Sequence, residues 1–399
     1  MRRCDWVLLG LACVLILPIA LRPAAVQAGP PQEIGFRVIE RLDASRATKQ
    51  YPSGRPIQMA FWYPAASASG APVLAYRDYV ALAGWETSFE NATRKSREDQ
   101  AVAQYKLFLT GAGLKPQDAD TLLGTRMQAF RDAPAVRGRY PLVLIAPGND
   151  QSTHEQAFLA EDLASRGFVV AVIPSATRIG SHLTKEAEIP EVAQAQAADL
   201  AFAVRTARFE PVVRPGKYGV VAHSFGARSA LLLAMSDPDV GALVSLDGGI
   251  GAKAGKGWLE KAKSYNRARA TAPILHLYEE GDPNMTPDFD LLRSLDRSER
   301  YVIRVDAMKH VHFSSVGAQV GTLPALARVS SADSRTSDAW NAVVWATASF
   351  LDHFVSDLGS ARRSAWVAPA SPLLHPVNLK SAPAASPTPA SKGKPARKK

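Results

Sequence analysis

Tyr218-Gly-Val-Val-Ala-His-Ser-Phe-Gly-Ala-Arg-Ser-Ala-Leu-Leu-Leu-Ala234 reads as a short apolar strand, a sharp turn at Ser224 and an apolar helix. A serine on such a turn has strand and helix backbones crowded around it, so the residues two before and two after it must be small. Ala222 and Gly226 meet that requirement, with alanine in a place where glycine is usual. The alternative for Ser224 is a plain helix cap. The downstream histidine and acid described below favour a nucleophile.

Working outward, further short apolar runs occur at Ile57 to Tyr63, Leu142 to Ala146, Phe168 to Ile173, Ala242 to Leu246, Ile274 to Tyr278 and Tyr301 to Val305. Helical spacing fills Glu155 to Arg166, Glu191 to Arg208, Gly226 to Met235 and Asp338 to Leu358. Alternation of this kind predicts an α/β fold, a mostly parallel central sheet with helices on both faces. Tyr76 to Asp132 interrupts it and reads as a helical insertion before the strand at Leu142. Two placements for that insertion stay open, one over the edge that carries Ser224 and one padding the side of the sheet.

A serine hydroxyl needs a base within hydrogen-bond reach. His310 follows the last apolar run, in Val-Asp-Ala-Met-Lys-His-Val-His-Phe, and completes the chain order serine, acid, histidine. His312 is its competitor, whereas His154, His182 and His276 read as surface or core residues. Two acids compete to orient the imidazole: Asp247, which ends the run Ala242 to Leu246, and Asp282, which follows the run Ile274 to Tyr278. Periodicity does not separate them. The developing oxyanion of such a reaction needs two backbone N–H donors. Phe225, directly after the serine, supplies one, and Asn149 in the turn Pro147-Gly148-Asn149-Asp150 supplies the other. The scheme calls for no metal and no organic cofactor.

These residues resemble the α/β-hydrolases of the platelet-activating-factor acetylhydrolase and dienelactone-hydrolase-like group, especially its secreted bacterial members. The likeness is carried by Gly54-Arg-Pro, Phe61-Trp-Tyr-Pro, Tyr140-Pro-Leu-Val-Leu-Ile-Ala-Pro-Gly, Leu163-Ala-Ser-Arg-Gly-Phe-Val-Val-Ala, Ala222-His-Ser-Phe-Gly, Leu246-Asp-Gly and His310-Val-His-Phe. It spans roughly residues 33 to 355. The resemblance implies a serine hydrolase of carboxylic esters, assigns the acid to Asp247 and the base to His310, and places the oxyanion donors at Phe225 and Asn149. Pro147 departs from the histidine usual before the oxyanion glycine. Amide or thioester hydrolysis by the same groups, or a catalytically silent hydrolase fold serving as an envelope-binding module, are the alternatives.

Charge separates the ends from the middle. The 399 residues carry a formal charge of +10. Arg2, Arg3 and Arg22 against Asp5 give the first 28 residues an excess of +2, and eight Lys/Arg with no acid give residues 361 to 399 an excess of +8. The stretch 29 to 360 is therefore formally neutral, which removes the usual reason to expect a nucleic-acid partner. Arg2-Arg3, the apolar run Trp6 to Leu21 and Val26-Gln27-Ala28 read as a signal peptide over 1–28, with a periplasmic or extracellular destination. An uncleaved anchor is the alternative, and Gly10 argues against lipidation at Cys13. Both cysteines, Cys4 and Cys13, fall in this segment, so the mature chain has no thiol chemistry. Residues 29–360 are expected to form the hydrolase domain and 361–399 a disordered basic Pro/Ala/Ser/Lys tail, free to make loose contact with anionic envelope surfaces. The substrate expected is a small-molecule or lipid-like ester. Nothing in the sequence speaks to oligomeric state.

Overall fold

The computed structural model describes residues 32–66, 70–356 and 365–379. Eleven strands form one sheet: β1 (Glu33–Asp43), β2 (Arg55–Ala65), β3 (Val73–Ala75), β4 (Arg126–Arg131), β5 (Leu142–Ala146), β6 (Val169–Val172), β7 (Tyr218–His223), β8 (Val240–Leu246), β9 (Ile274–Tyr278), β10 (Arg300–Val305) and β11 (Leu374–Val377). Their spatial order is β11-β10-β9-β8-β7-β5-β6-β2-β1-β4-β3. From β6 across to β10 every neighbouring pair is parallel. The chain places β6 on one side of β5 and β7 on the other, so the winding direction reverses between β5 and β7. Ligands of open α/β sheets bind outside the carboxyl ends of the strands at such a reversal. Ser224 directly follows β7, and Pro147 directly follows β5.

Helices α1 (Tyr76–Ala81), α2 (Arg94–Gly111), α3 (Pro116–Leu123), α4 (Ala157–Ser165), α5 (Ile189–Ala207), α6 (Gly226–Ser236), α7 (Asp290–Ser294), α8 (Ser315–Gln319), α9 (Pro324–Val329) and α10 (Thr336–Leu351) divide between the two faces. The period-2 alternation of the strands makes the division. Val143, Ile145 and Val221 join one core with α4, α10 and the helices of the insertion, while Leu144, Ala146, Val220 and Ala222 join a second with α5 and α6. Both faces being covered explains why the central strands read as unbroken apolar runs. This architecture is the α/β-hydrolase fold.

Two expectations are corrected. The segment from Tyr76 to Asp132 is helical only through α3, and its last residues form β4, which pairs in parallel with β1 and antiparallel with β3. Arg126-Met-Gln-Ala-Phe-Arg does alternate, with Met127 and Ala129 buried, but its charged and amide side chains hide the strand in an Arg- and Gln-rich context. Glu161 of α4 pins this strand, its buried carboxylate accepting from the N–H groups of Gln128 and Ala129 and from the Tyr79 hydroxyl.

The second correction concerns the tail. Residues 365–379 are ordered: β11 pairs antiparallel with β10, and Trp366 is buried against Phe350 and Tyr301, its Nε1–H donating to Ser349 Oγ at 3.0 Å. Pro376 sits in β11 without breaking it because an edge strand tolerates the missing N–H. The expected signal peptide and the basic stretch after residue 379 lie outside the described residues. Among the described residues no helix is long and apolar enough to cross a membrane.

If Trp366 belongs to the core, Trp366→Ala should lower the unfolding free energy by about 3 kcal/mol or more, the usual cost of emptying a buried aromatic site. Urea titration of the two proteins reads this directly. An unshifted midpoint would mean that the 365–379 segment contributes nothing to folding.

Candidate active site

The turn after β7 holds Ser224 at φ +53, a left-handed backbone that non-glycine residues seldom adopt. Three backbone bonds fix it there: Ser224 N–H donates to Leu246 O, and Ser224 O accepts from Gly249 and Ala227. Gly226 makes the turn possible. A Cβ at that position would lie 2.2 Å from Ala146 O and 2.6 Å from Pro147 O, so the start of α6 is pressed onto the end of β5. Ala222, fully buried, fits its place with its methyl group.

The structure brings Ser224, His310 and Asp247 together and leaves Asp282 aside. His310 Nε2 lies 2.9 Å from Ser224 Oγ, and His310 Nδ1 lies 2.6 Å from Asp247 Oδ2. An ionised carboxylate only accepts, so Nδ1 carries the proton and donates to it, which leaves Nε2 to accept from the serine hydroxyl. Asp247 is 2% exposed. Burial pushes its carboxyl above the ordinary carboxylate value, against the opposing pull of His310 and of the Glu279 N–H that reaches Oδ1. Its own backbone is left-handed, at φ +42, with its N–H on Leu277 O. Gly248 beside it has no room for a side chain, since a Cβ would meet Ser245 Oγ at 2.2 Å.

Asp282, the other candidate acid, caps a short 3-10 turn: its Oδ1 accepts from Asn284 N–H at 2.8 Å. The neighbouring carboxylate that does approach the site is Glu279, buried at the end of β9. Its oxygens take the N–H groups of Gly281 and Asp282, and burial, with Asp247 close by, raises its pKa. His312 is turned inward, its Nδ1 accepting from Lys309 N–H at 2.9 Å, and burial pulls it down to about 4. It closes the 3-10 turn His310–Phe313 that carries His310.

The loop after β5 lies against the serine. A Cβ on Gly148 would come within 2.9 Å of Ser224 Cβ. Among the described residues neither Asn149 N–H nor Phe225 N–H has a protein acceptor, so both stay uncommitted. Gln151 holds this loop, its Oε1 accepting from Gly148 N–H at 2.6 Å, while Gln196 donates to Pro147 O at 2.9 Å.

His223, the last residue of β7, is one that sequence reading passed over. It is buried, stacks on the His310 ring with centroids 4.8 Å apart, and places Nδ1 2.9 Å from Gln151 Oε1 and Nε2 3.2 Å from His310 O. Both partners are acceptors, and a neutral imidazole has one N–H to give. The cation would satisfy both, but burial first and the nearby His310 second hold His223 down at about 3. His223 thus stays neutral and donates to one of the two oxygens at a time, lying between the loop after β5 and the loop carrying His310.

The insertion meets the site from one side. Glu86, buried, accepts from Ser152 Oγ and from Arg178, and Arg178 Nη1 also reaches Asp150 O. The insertion thus contacts the loop after β5 through Glu86, and its last residues extend the sheet edge as β4. Among the described residues no group of three or more His, Cys, Asp or Glu is gathered to hold a metal ion.

A hydroxyl donating to an imidazole that donates to a buried carboxylate, with free backbone N–H groups beside it, is chemically equipped for acyl transfer. No family model matches the chain. No curated protein matches it either. Among solved structures it is similar to a ferulic acid esterase from Streptomyces cinnamoneus, with a TM-score of 0.59 and 21% identity over 89% of this chain and 98% of that one. That likeness bears on the fold.

The neutral His223 has a measurable consequence. A histidine at about 3 when folded and near 6.5 when unfolded binds its proton more readily in the unfolded chain, so it removes stability as pH falls from about 6.5 towards 3. Across that window the stability difference between the wild type and His223→Gln should shift by about 1 kcal/mol per pH unit in favour of the variant. Urea titrations at pH 7, 6, 5 and 4 measure it. A difference independent of pH would show that His223 titrates alike in both states.

Proposed function

We propose that the chain is a serine hydrolase of carboxylic esters, an exported member of the acetylhydrolase and dienelactone-hydrolase-like group. The observation that carries this reading is the unbroken relay from Asp247 through His310 to Ser224, at 2.6 and 2.9 Å, on a left-handed serine. The esterase activity named for the structurally similar Streptomyces protein is consistent with it.

In this scheme His310 Nε2 takes the hydroxyl proton as Ser224 Oγ attacks the ester carbonyl, and Asp247 stabilises the imidazolium that forms. The carbonyl oxygen, now negative, is met by the N–H groups of Phe225 and Asn149. His310 returns its proton to the departing alcohol. Water, deprotonated by the same imidazole, then attacks the acyl-enzyme, and the acid leaves as Ser224 regains its proton. Gln151 holds the oxyanion loop through the Gly148 N–H, and the His223 ring packs against the base. The N-terminal apolar segment supplies the reason to expect export, and the basic C-terminal stretch the reason to expect loose contact with anionic surfaces.

Hydrolysis of 4-nitrophenyl acetate or butyrate should fall by at least about 10³-fold in Ser224→Ala and in Asp247→Asn, and change little in Asp282→Asn. A fluorophosphonate probe should label Ser224 alone. A large loss in Asp282→Asn with Asp247→Asn intact, or undiminished turnover without Ser224, would overturn the assignment.

A further inference from the structure

The first turn of α6 carries a guanidinium with too few partners. Arg228 is only 8% exposed, yet among the described residues its one hydrogen bond is from Nη2 to Ala254 O. Nε and Nη1 bond to nothing among the described residues, and neither is sealed from solvent. No carboxylate among the described residues comes within 4.0 Å of it. Burial pulls the group down to about 10, with Glu186 acting against that shift, so it is still a cation at neutral pH. Glu186 acts on it only from beyond ion-pairing distance, and a buried charge without a direct ion-pair partner is expensive.

The chain makes room for this guanidinium. A Cβ on Gly249 would lie 2.5 Å from its Cζ, and one on Gly255, at φ +70, would lie 2.9 Å from Nη2. Around it lies a cavity of about 180 Å³, with Ile250, Ala252 and Leu259 as apolar wall. The acids on its far side are already engaged: Asp288 and Asp290 hold Lys256 at 2.7 and 2.5 Å, and Asp290 also takes Arg293. Glu186 accepts from Gly255 N–H at 2.7 Å, and Glu260 is exposed. The cavity adjoins the serine turn, because Gly249 N–H is the group that donates to Ser224 O at 2.9 Å and Phe225 lies under the guanidinium. Through the Gly249 backbone the guanidinium carbon is within about 9 Å of the Ser224 carbonyl oxygen.

We propose that the Arg228 cavity is a substrate subsite for a carboxylate, so that the ester turned over at Ser224 carries an acid group on its acyl or alcohol part. This rests on the ester-hydrolase reading. A planar carboxylate matches the edge of the guanidinium fork that the Nη2 bond to Ala254 leaves free and gives it a direct ion-pair partner. The apolar wall suits a short linker between that carboxylate and the ester.

The test compares charged and neutral partners on the full chain. On the acyl side these are the 4-nitrophenyl monoester of adipic acid and its methyl diester. On the alcohol side they are 3-butyryloxybenzoate and 3-butyryloxybenzamide. In at least one pair kcat/KM should favour the anion tenfold or more, and Arg228→Met should bring that ratio close to one. A ratio near or below one in both pairs of the wild type, or a preference that survives Arg228→Met, overturns the proposal. Should that variant not fold, free adipate should inhibit wild-type hydrolysis of the neutral ester competitively while adipamide does not, and equal effects of the two refute it. Turnover of neutral esters without anion preference would sink the subsite alone. Absence of turnover of any ester would sink the hydrolase reading and the substrate role together.

Discussion

One close approach governs this molecule: the start of α6 lies so near the end of β5 that position 226 has no space for even a methyl group. Because helix and strand are pressed together there, the turn between β7 and α6 is sharp, and Ser224 is forced into the left-handed region with its side chain clear of both elements. The same contact brings Gly148 against the serine and sets the N–H of Phe225 at the head of the helix. A serine and its two candidate oxyanion donors are thus located by packing between backbones, which no side-chain rotamer can loosen. The reversal of winding between β5 and β7 determines that this happens at the carboxyl edge of the sheet.

The remainder of the site arrives on loops whose lengths the strands dictate. Asp247 directly follows β8, next to β7 in the sheet, and His310 follows β10, two strands further on. Both then reach the serine with only short loops to span. Gln151 takes the Gly148 N–H within the loop after β5, and His223, stacked on the His310 ring, donates either to Gln151 Oε1 or to His310 O. Glu279, beside Asp247, is a second buried carboxylate kept in place by backbone N–H groups. Two acids this near to each other oppose each other's ionisation, and the Asp247–His310 bond is what favours the charged form of Asp247.

Sequence made the central sheet legible because its strands are buried on both faces and read as unbroken apolar runs. It failed at the margins, where burial is one-sided. β4 looked helical through its arginines and glutamine, and β11 looked like tail because His375 and Pro376 interrupt it while the residues beyond are rich in Pro, Ala, Ser and Lys. Ser224 and His310 were readable from local pattern and chain order. Periodicity did not separate the acids, since Asp247 and Asp282 each follow an apolar run; the resemblance pointed to Asp247, and the fold sets it against His310 while Asp282 caps a 3-10 turn. His223 and Arg228 were in plain view within the turn sequence, but their significance depends on burial and on partners distant in the chain.

The account stands on a covalent acyl-enzyme at Ser224. Acid-quenching the enzyme during steady-state turnover of a 4-nitrophenyl ester, followed by peptide mass spectrometry, tests this most directly. The expected result is a single acyl adduct on the peptide containing Ser224, present in the wild type and absent from Ser224→Ala. An adduct on another residue, or steady turnover by Ser224→Ala at the wild-type rate, would contradict it.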